Sequence, residues 1–139
     1  MGELKREHIF GIAYVVGDLS AAADELVALA GRAERPYLVA HSDVHLLTRI
    51  LGEEEYGNGV RTFDYICPDG MPIVWLMRRK GAAAYRVDGP DMMEWMWNRG
   101  RTAGLRHFLL GGTEEVCELL QKRLGERFPG AQVVGHFCP

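Results

Sequence analysis

The chain has 139 residues and a mass of 15.6 kDa, is 47% hydrophobic and 25% charged, and carries a net charge of -3. These values fit one globular domain with a real core and exclude a disordered or low-complexity chain. An acidic chain with its 16 Lys and Arg dispersed along it is not a nucleic-acid binder by default.

His8 to Val16 is an apolar run with β-branched and aromatic members, expected to be one strand bent at Gly11. Asp18 is placed to cap a helix from Leu19 to about Ala30, stopped by Gly31. A short strand is expected at Tyr37–Ala40. Ser42 or Asp43 then caps a helix from Val44 to about Leu51. Gly52 to Arg61, polar and with three glycines, reads as a loop or a frayed helix end. Phe63–Cys67 is a short strand running into the turn Pro68-Asp69-Gly70, and Ile73–Arg79 a helix. After a loop from Gly81 to Gly89, Pro90 opens a helix that runs to about Arg101. Leu105–Leu110 is a clear strand, followed by Gly111-Gly112, a helix capped by Thr113 and running to about Arg127, and a last strand at Ala131–Val134.

Alternating strands and helices predict an α/β domain, Rossmann-like, with a mainly parallel sheet and flanking helices. No internal repeat or linker divides it. The chain lacks the ~20 apolar residues that span a bilayer, and no signal-peptide core follows the charged start Met1–Glu7. A cytoplasmic protein is expected, with any membrane contact peripheral. Cys67, Cys117 and Cys138 are odd in number and show no CxxC spacing, which argues against a disulfide framework or a zinc site and for reduced thiols. His41 and His45, four apart, could share a helix face, but without a further ligand motif no metal is expected.

In parallel sheets, ligands bind where strands end and loops lead into helices. Three such loops carry polar residues: His41-Ser42-Asp43, Asp69-Gly70 and Gly111-Gly112-Thr113. A common strand direction would bring them to one rim. Asp69 either caps the next helix or acts as a general base, with Gly70 allowing a close turn. Gly111 and Gly112 either hold a phosphate on free backbone N–H groups or make a plain turn. Arg86 either forks onto a diphosphate or pairs with Asp88 or Asp91. The run Met92, Met93, Trp95, Met96, Trp97 is mostly core, with room for a subunit or membrane-edge contact. The first strand–loop–helix lacks GxGxxG, so a nicotinamide dinucleotide is not expected.

Taken together, Pro68-Asp69-Gly70, Val74-Trp75, Arg86-Val87, Gly89-Pro90-Asp91, Phe108-Leu109-Leu110-Gly111-Gly112, Glu115-Val116, Phe128-Pro129-Gly130 and Val133-Val134-Gly135 resemble the WecG/TagA/CpsF glycosyltransferases. The order and spacing agree over roughly residues 60 to 136, and more loosely from Ile9 to Leu47. The resemblance implies an inverting transferase of bacterial cell-envelope polysaccharide synthesis. Such an enzyme moves an N-acetylmannosamine-type sugar from a UDP donor to a polyprenyl-diphosphate-linked acceptor without a metal or other cofactor. It implies Asp69 as the base and Arg86 as a diphosphate ligand, with Asp91 as the acidic residue of the same motif.

Some positions depart from the family pattern. His41 and Asp43 stand where the family has a Thr-x-Asn pair lining the donor pocket, and Pro72 replaces a glycine. A carboxylate at Asp43 beside a diphosphate is unfavourable unless paired or protonated. Family members also run to well over 200 residues, so the chain is expected to be the N-terminal part of a longer glycosyltransferase. The second reading is a non-catalytic nucleotide-sugar binding or assembly module that kept the fold. Homo-oligomerisation through the Met/Trp-rich helix is compatible with either.

Overall fold

The computed structural model describes residues 4–139, so the first three residues of the charged N-terminal start lie outside it. Among the described residues the order is β1 (Arg6–Ile9), β2 (Ile12–Val15), α1 (Leu19–Arg32), β3 (Val39–Ser42), α2 (Val44–Gly52) and α3 (Glu54–Arg61), continuing with β4 (Tyr65–Pro68), α4 (Met71–Arg79), α5 (Gly89–Gly100), β5 (Arg106–Leu110), α6 (Glu114–Arg127) and β6 (Gln132–Phe137). No helix among these residues is long and apolar enough to cross a membrane.

The fold is α/β and Rossmann-like, with a mostly parallel sheet. Its strands lie in two groups, a four-stranded sheet ordered β1-β2-β4-β3 and a separate pair β5-β6. Every pairing except β1 with β2 is parallel. Strand β4 is buried along its whole length at the centre of the larger sheet. Its side chains alternate between two layers, as a pleated strand requires. Ile66 packs with Leu47, Ile50, Ile73, Val74 and Met77 of α2 and α4. Tyr65 and Cys67 pack on the other face with Ala22, Leu26 and Leu29 of α1 and Met92 of α5. Each fully buried side chain of this size contributes roughly 1.5–3 kcal/mol.

Helix α5 joins the two groups. Met92 belongs to the layer on the larger sheet, whereas Trp97 packs with Leu124 and Phe128 under β5 and β6. Arg99 of α5 is ion-paired with Asp24 of α1 and donates to Ser20 Oγ at 2.9 Å. The methionine- and tryptophan-rich stretch is thus mainly core: Met92 and Trp97 are buried, and Met93, Trp95 and Met96 half-buried.

The structure corrects several expectations. The run His8–Val16 is a hairpin, not one bent strand. Phe10 (φ 49°) and Gly11 (φ 74°) both adopt left-handed backbone, the geometry of a two-residue turn that matches strand twist. The stretch Gly52–Arg61, expected as a loop or a frayed helix end, contains a helix of its own, α3, with Glu54 and Glu55 placed favourably in its first turn. Helix α1 continues through Gly31 to Arg32. His41 lies on β3 and His45 on α2, so they share no helix face.

Candidate active site

The site is built where β3 and β4 end. The two strands run parallel with Ser42 opposite Pro68, so their loops leave the sheet side by side. The Asp69 N–H donates to Ser42 O at 3.0 Å, extending the ladder by one residue. Beneath, the buried hydroxyls of Tyr14 and Ser42 lie 2.9 Å apart and fix the end of β3 to β2. Burial, with a smaller push from the Asp43 charge, raises the Tyr14 phenol above its ordinary range, while its bond to Ser42 works against the rise.

Asp69 does not cap α4. The cap position is Gly70, which makes no side-chain bond. The carboxylate turns instead to Arg86. The guanidinium donates from Nε to Asp69 O at 2.7 Å and from Nη2 to Asp69 Oδ1 at 3.3 Å, and Nη2 also meets Asp88 Oδ2 at 2.9 Å. The loop carrying Arg86 is strapped to the sheet, because Val87 N–H donates to Pro68 O at 2.8 Å. His41 fastens the same loop from the other side. Its Nδ1 lies 2.9 Å from Val87 O, and since a carbonyl only accepts, Nδ1 carries the proton.

Three carboxylates crowd this rim, and two of them are absorbed by helix starts. Asp43 accepts from Leu46 N–H at 2.8 Å and caps α2. That pairing answers the objection to a carboxylate at this position. Asp88 accepts from Asp91 N–H at 3.1 Å and caps α5. Asp69 caps no helix, and its Oδ2 has no protein partner among the described residues. Asp69 keeps 23% of its side chain exposed and Arg86 52%, so both reach solvent. Arg86 Nη1 likewise has no protein partner among the described residues. The Asp69 charge also acts inward: burial first, and then this carboxylate, push the Cys67 thiol up to about 12.

His41, Asp69, Gly70, Arg86 and the capping Asp43 are therefore gathered at one rim. Asp91 stands in the first turn of α5 with its side chain exposed. Gly111 and Gly112 belong to the other sheet, at the end of β5, with φ of 104° and 79°. No hydrogen bond or ion pair among the described residues joins them to Asp69 or Arg86. The Gly111 N–H, expected to be open, donates to Phe137 O at 2.9 Å. A cavity of 610 Å³ opens elsewhere, beside Ala30, Met96, Leu105 and His107.

Two supports escaped the sequence reading. Asp88 was visible there only as one partner of a surface pair, yet it anchors Arg86 and starts α5 at once. The Tyr14–Ser42 bond joins residues 28 apart, and no local spacing announces it. The three cysteines are free thiols, with the sulfurs of Cys117 and Cys138 3.3 Å apart.

A carboxylate with an open oxygen, one hydrogen bond from a guanidinium with an open edge, can accept a proton and hold an anion side by side. Comparison with curated proteins finds no match. The family model described as Glycosyl transferase WecG/TagA/CpsF family matches residues 7–139, all but the first six, and the chain belongs to that glycosyltransferase family.

Proposed function

We propose that this rim serves an inverting transfer of an N-acetylmannosamine-type sugar from a UDP donor to a polyprenyl-diphosphate-linked acceptor in bacterial cell-envelope polysaccharide synthesis. Family membership supports the reaction class. The observation that carries the reading is the Asp69 carboxylate, part-exposed, capping no helix and bound to Arg86.

In this reading the open Asp69 Oδ2 takes the proton of the acceptor hydroxyl as its oxygen attacks the anomeric carbon. The bond from that carbon to the UDP oxygen breaks on the opposite face, and UDP leaves with the electron pair, inverting the centre. Arg86 offers its Nη1 edge to the diphosphate, where charge grows as the bond breaks. Its present bonds to Asp69 and Asp88 hold it ready for that role, which reduces what is lost on ordering it. His41 and Gly70 shape the floor, and Asp43 and Asp91 border it. Gly112, next to the capped start of α6, offers backbone N–H to a second anionic group once Gly111 is spent on Phe137. A lipid-linked acceptor places the reaction at a membrane surface, so peripheral attachment at the cytoplasmic face belongs to the same proposal. So does the chain's place as the N-terminal part of a longer enzyme.

A second reading, a nucleotide-sugar binding module without transfer, is favoured by one observation: Asp69 and Arg86 already occupy each other. Calorimetric titration with UDP, paired with a transfer assay on a polyprenyl-diphosphate acceptor analogue, separates the two. The proposal expects UDP binding by the wild type and by Asp69→Asn, with turnover falling about 10²–10⁴-fold in the variant. Binding without transfer in the wild type selects the second reading. Absence of UDP binding removes both.

A further inference from the structure

The far end of the molecule gathers a set of side chains that the rim does not use. Helix α6 begins with Glu114, and Cys117 lies three residues on, so both face the same way. On the neighbouring strand β6, His136 stands next to the last residue, and Cys138 follows one residue past the strand's end. The helix pair and the strand pair meet. His136 Nε2 is 2.5 Å from Glu114 Oε1, and Cys138 Sγ is 3.3 Å from Cys117 Sγ. The ligand atoms of Glu114, His136 and Cys138 all lie within 4.8 Å of one another. Cys117 is 3% exposed and closes the inner side, while Glu114 faces solvent.

We propose that Glu114, His136 and Cys138, with Cys117 as the fourth ligand, form a binding site for a thiophilic divalent cation of the zinc type. Two sulfurs, an imidazole nitrogen and a carboxylate oxygen are the donor set that zinc accepts and that magnesium or calcium does not. Metal–ligand bonds of about 2.0–2.3 Å place tetrahedral ligand atoms roughly 3.3–3.8 Å apart, so Glu114, His136 and Cys138 close on a cation by side-chain rotation, and Cys117 swings its sulfur toward them from beside Cys138. Binding releases one proton from each thiol to solvent, and Cys117 gives up the hydrogen bond that its thiol donates to Gly111 O, with Sγ and O 3.2 Å apart.

The outer shell fits as well. His136 Nδ1 is 2.8 Å from the Gln121 side-chain amide. A half-turn of that amide presents its oxygen to Nδ1–H and leaves Nε2 for the cation, the arrangement that orients metal-bound histidines. The site also has structural sense. It would tie the start of α6 to the end of β6 and the residue after it. A two-stranded sheet is marginal alone. The β5–β6 pair leaves Phe108, Leu110, Val134 and Phe137 exposed, so a cross-link there adds directly to folding stability.

The test is titration of the reduced, metal-stripped protein with Co²⁺ alone, read by absorption, with circular dichroism to confirm folding. The expected result is one equivalent bound, with a thiolate-to-cobalt charge-transfer band and tetrahedral d–d bands that Zn²⁺ displaces. Cys138→Ser removes or sharply weakens the charge-transfer band and His136→Ala weakens binding, whereas Cys67→Ser changes neither. A folded wild type without the band, or a band indifferent to Cys138→Ser, overturns the proposal. So does mass spectrometry showing that the protein, exposed to air with Zn²⁺ present, loses two hydrogens to a Cys117–Cys138 disulfide. The wild-type spectrum decides even if a variant fails to fold.

Discussion

Arg86 and Asp69 meet through two different atoms of the aspartate, its carbonyl oxygen at 2.7 Å and its carboxylate at 3.3 Å. The first bond holds the arginine to the backbone at the end of β4. The second lets side chain answer side chain. Because the arginine is half exposed, this pairing adds little to stability, about 0–1 kcal/mol. Arg86→Ala is therefore expected to unfold at nearly the wild-type denaturant midpoint while weakening UDP binding about tenfold or more. Arg86→Lys recovers the charge without the fork and restores only part of that affinity. Chemical denaturation and calorimetry on the same samples check both halves.

Asp88 separates two roles that coincide in one carboxylate. It caps α5 through Asp91 N–H and pairs with Arg86 Nη2. Asp88→Asn keeps an oxygen able to cap but loses the charge, so it retains stability within about 0.5 kcal/mol and loosens only Arg86. Asp88→Ala loses both and costs about 1–2 kcal/mol. Denaturation midpoints rank the three proteins. Equal midpoints for the two variants would show that the cap contributes nothing.

The turn carrying Asp69 and Gly70 was readable in the sequence because local chemistry sets it at a strand end: an apolar run, then a turn, then a polar residue; Arg86, 17 residues on, is brought to it by the fold. Helix caps at Asp18 and Thr113, and at Asp43 as one of two candidates with Ser42, were legible for the same reason, since a cap is decided within four residues. The hairpin at Phe10-Gly11 was not. A non-glycine residue with positive φ inside an apolar run carries no turn signal of its own, and only pairing of Arg6 with Val15 makes it visible. The division of the strands into two groups is likewise a matter of partners far apart in the chain. The Glu114–Cys117–His136–Cys138 cluster joins positions about twenty residues apart, with no CxxC to announce it, so spacing along the chain could not show it.

Helix α3 was hidden by its glycines, and one of them is there for contact. A Cβ on Gly57 would stand 2.2 Å from the Ile50 carbonyl oxygen of α2, a backbone atom that cannot swing aside. Gly59, in the same helix, would meet nothing within 4 Å. Gly57→Ala is expected to destabilise by about 1–3 kcal/mol as α2 and α3 are forced apart. Gly59→Ala, relieved of glycine's backbone entropy, stabilises by about 0.5–1 kcal/mol. Opposite signs from two identical substitutions two residues apart, measured by urea denaturation, would establish that the close helix–helix approach selects Gly57.

Cys67 links the rim to stability at high pH. Burial, then the neighbouring Asp69 charge, push its thiol up to about 12 in the folded protein. The unfolded thiol ionises at about 8.5. Between those two values the unfolded chain binds fewer protons than the folded one, so stability falls as pH rises through this window, by up to about 1.4 kcal/mol per unit, and the contribution is intact below it. Cys67→Ala removes the titrating group and leaves a cavity whose cost does not depend on pH. The stability gap between wild type and variant should accordingly shrink between pH 8 and pH 10, and a gap that stays constant would mean that the thiol ionises in place. Asp69→Asn, which takes away the second cause, should lower the folded thiol's value, so that with the series carried above pH 10 the fall in stability ends at a lower pH. The same measurement thereby reports on how closely the proposed base faces the core beneath it.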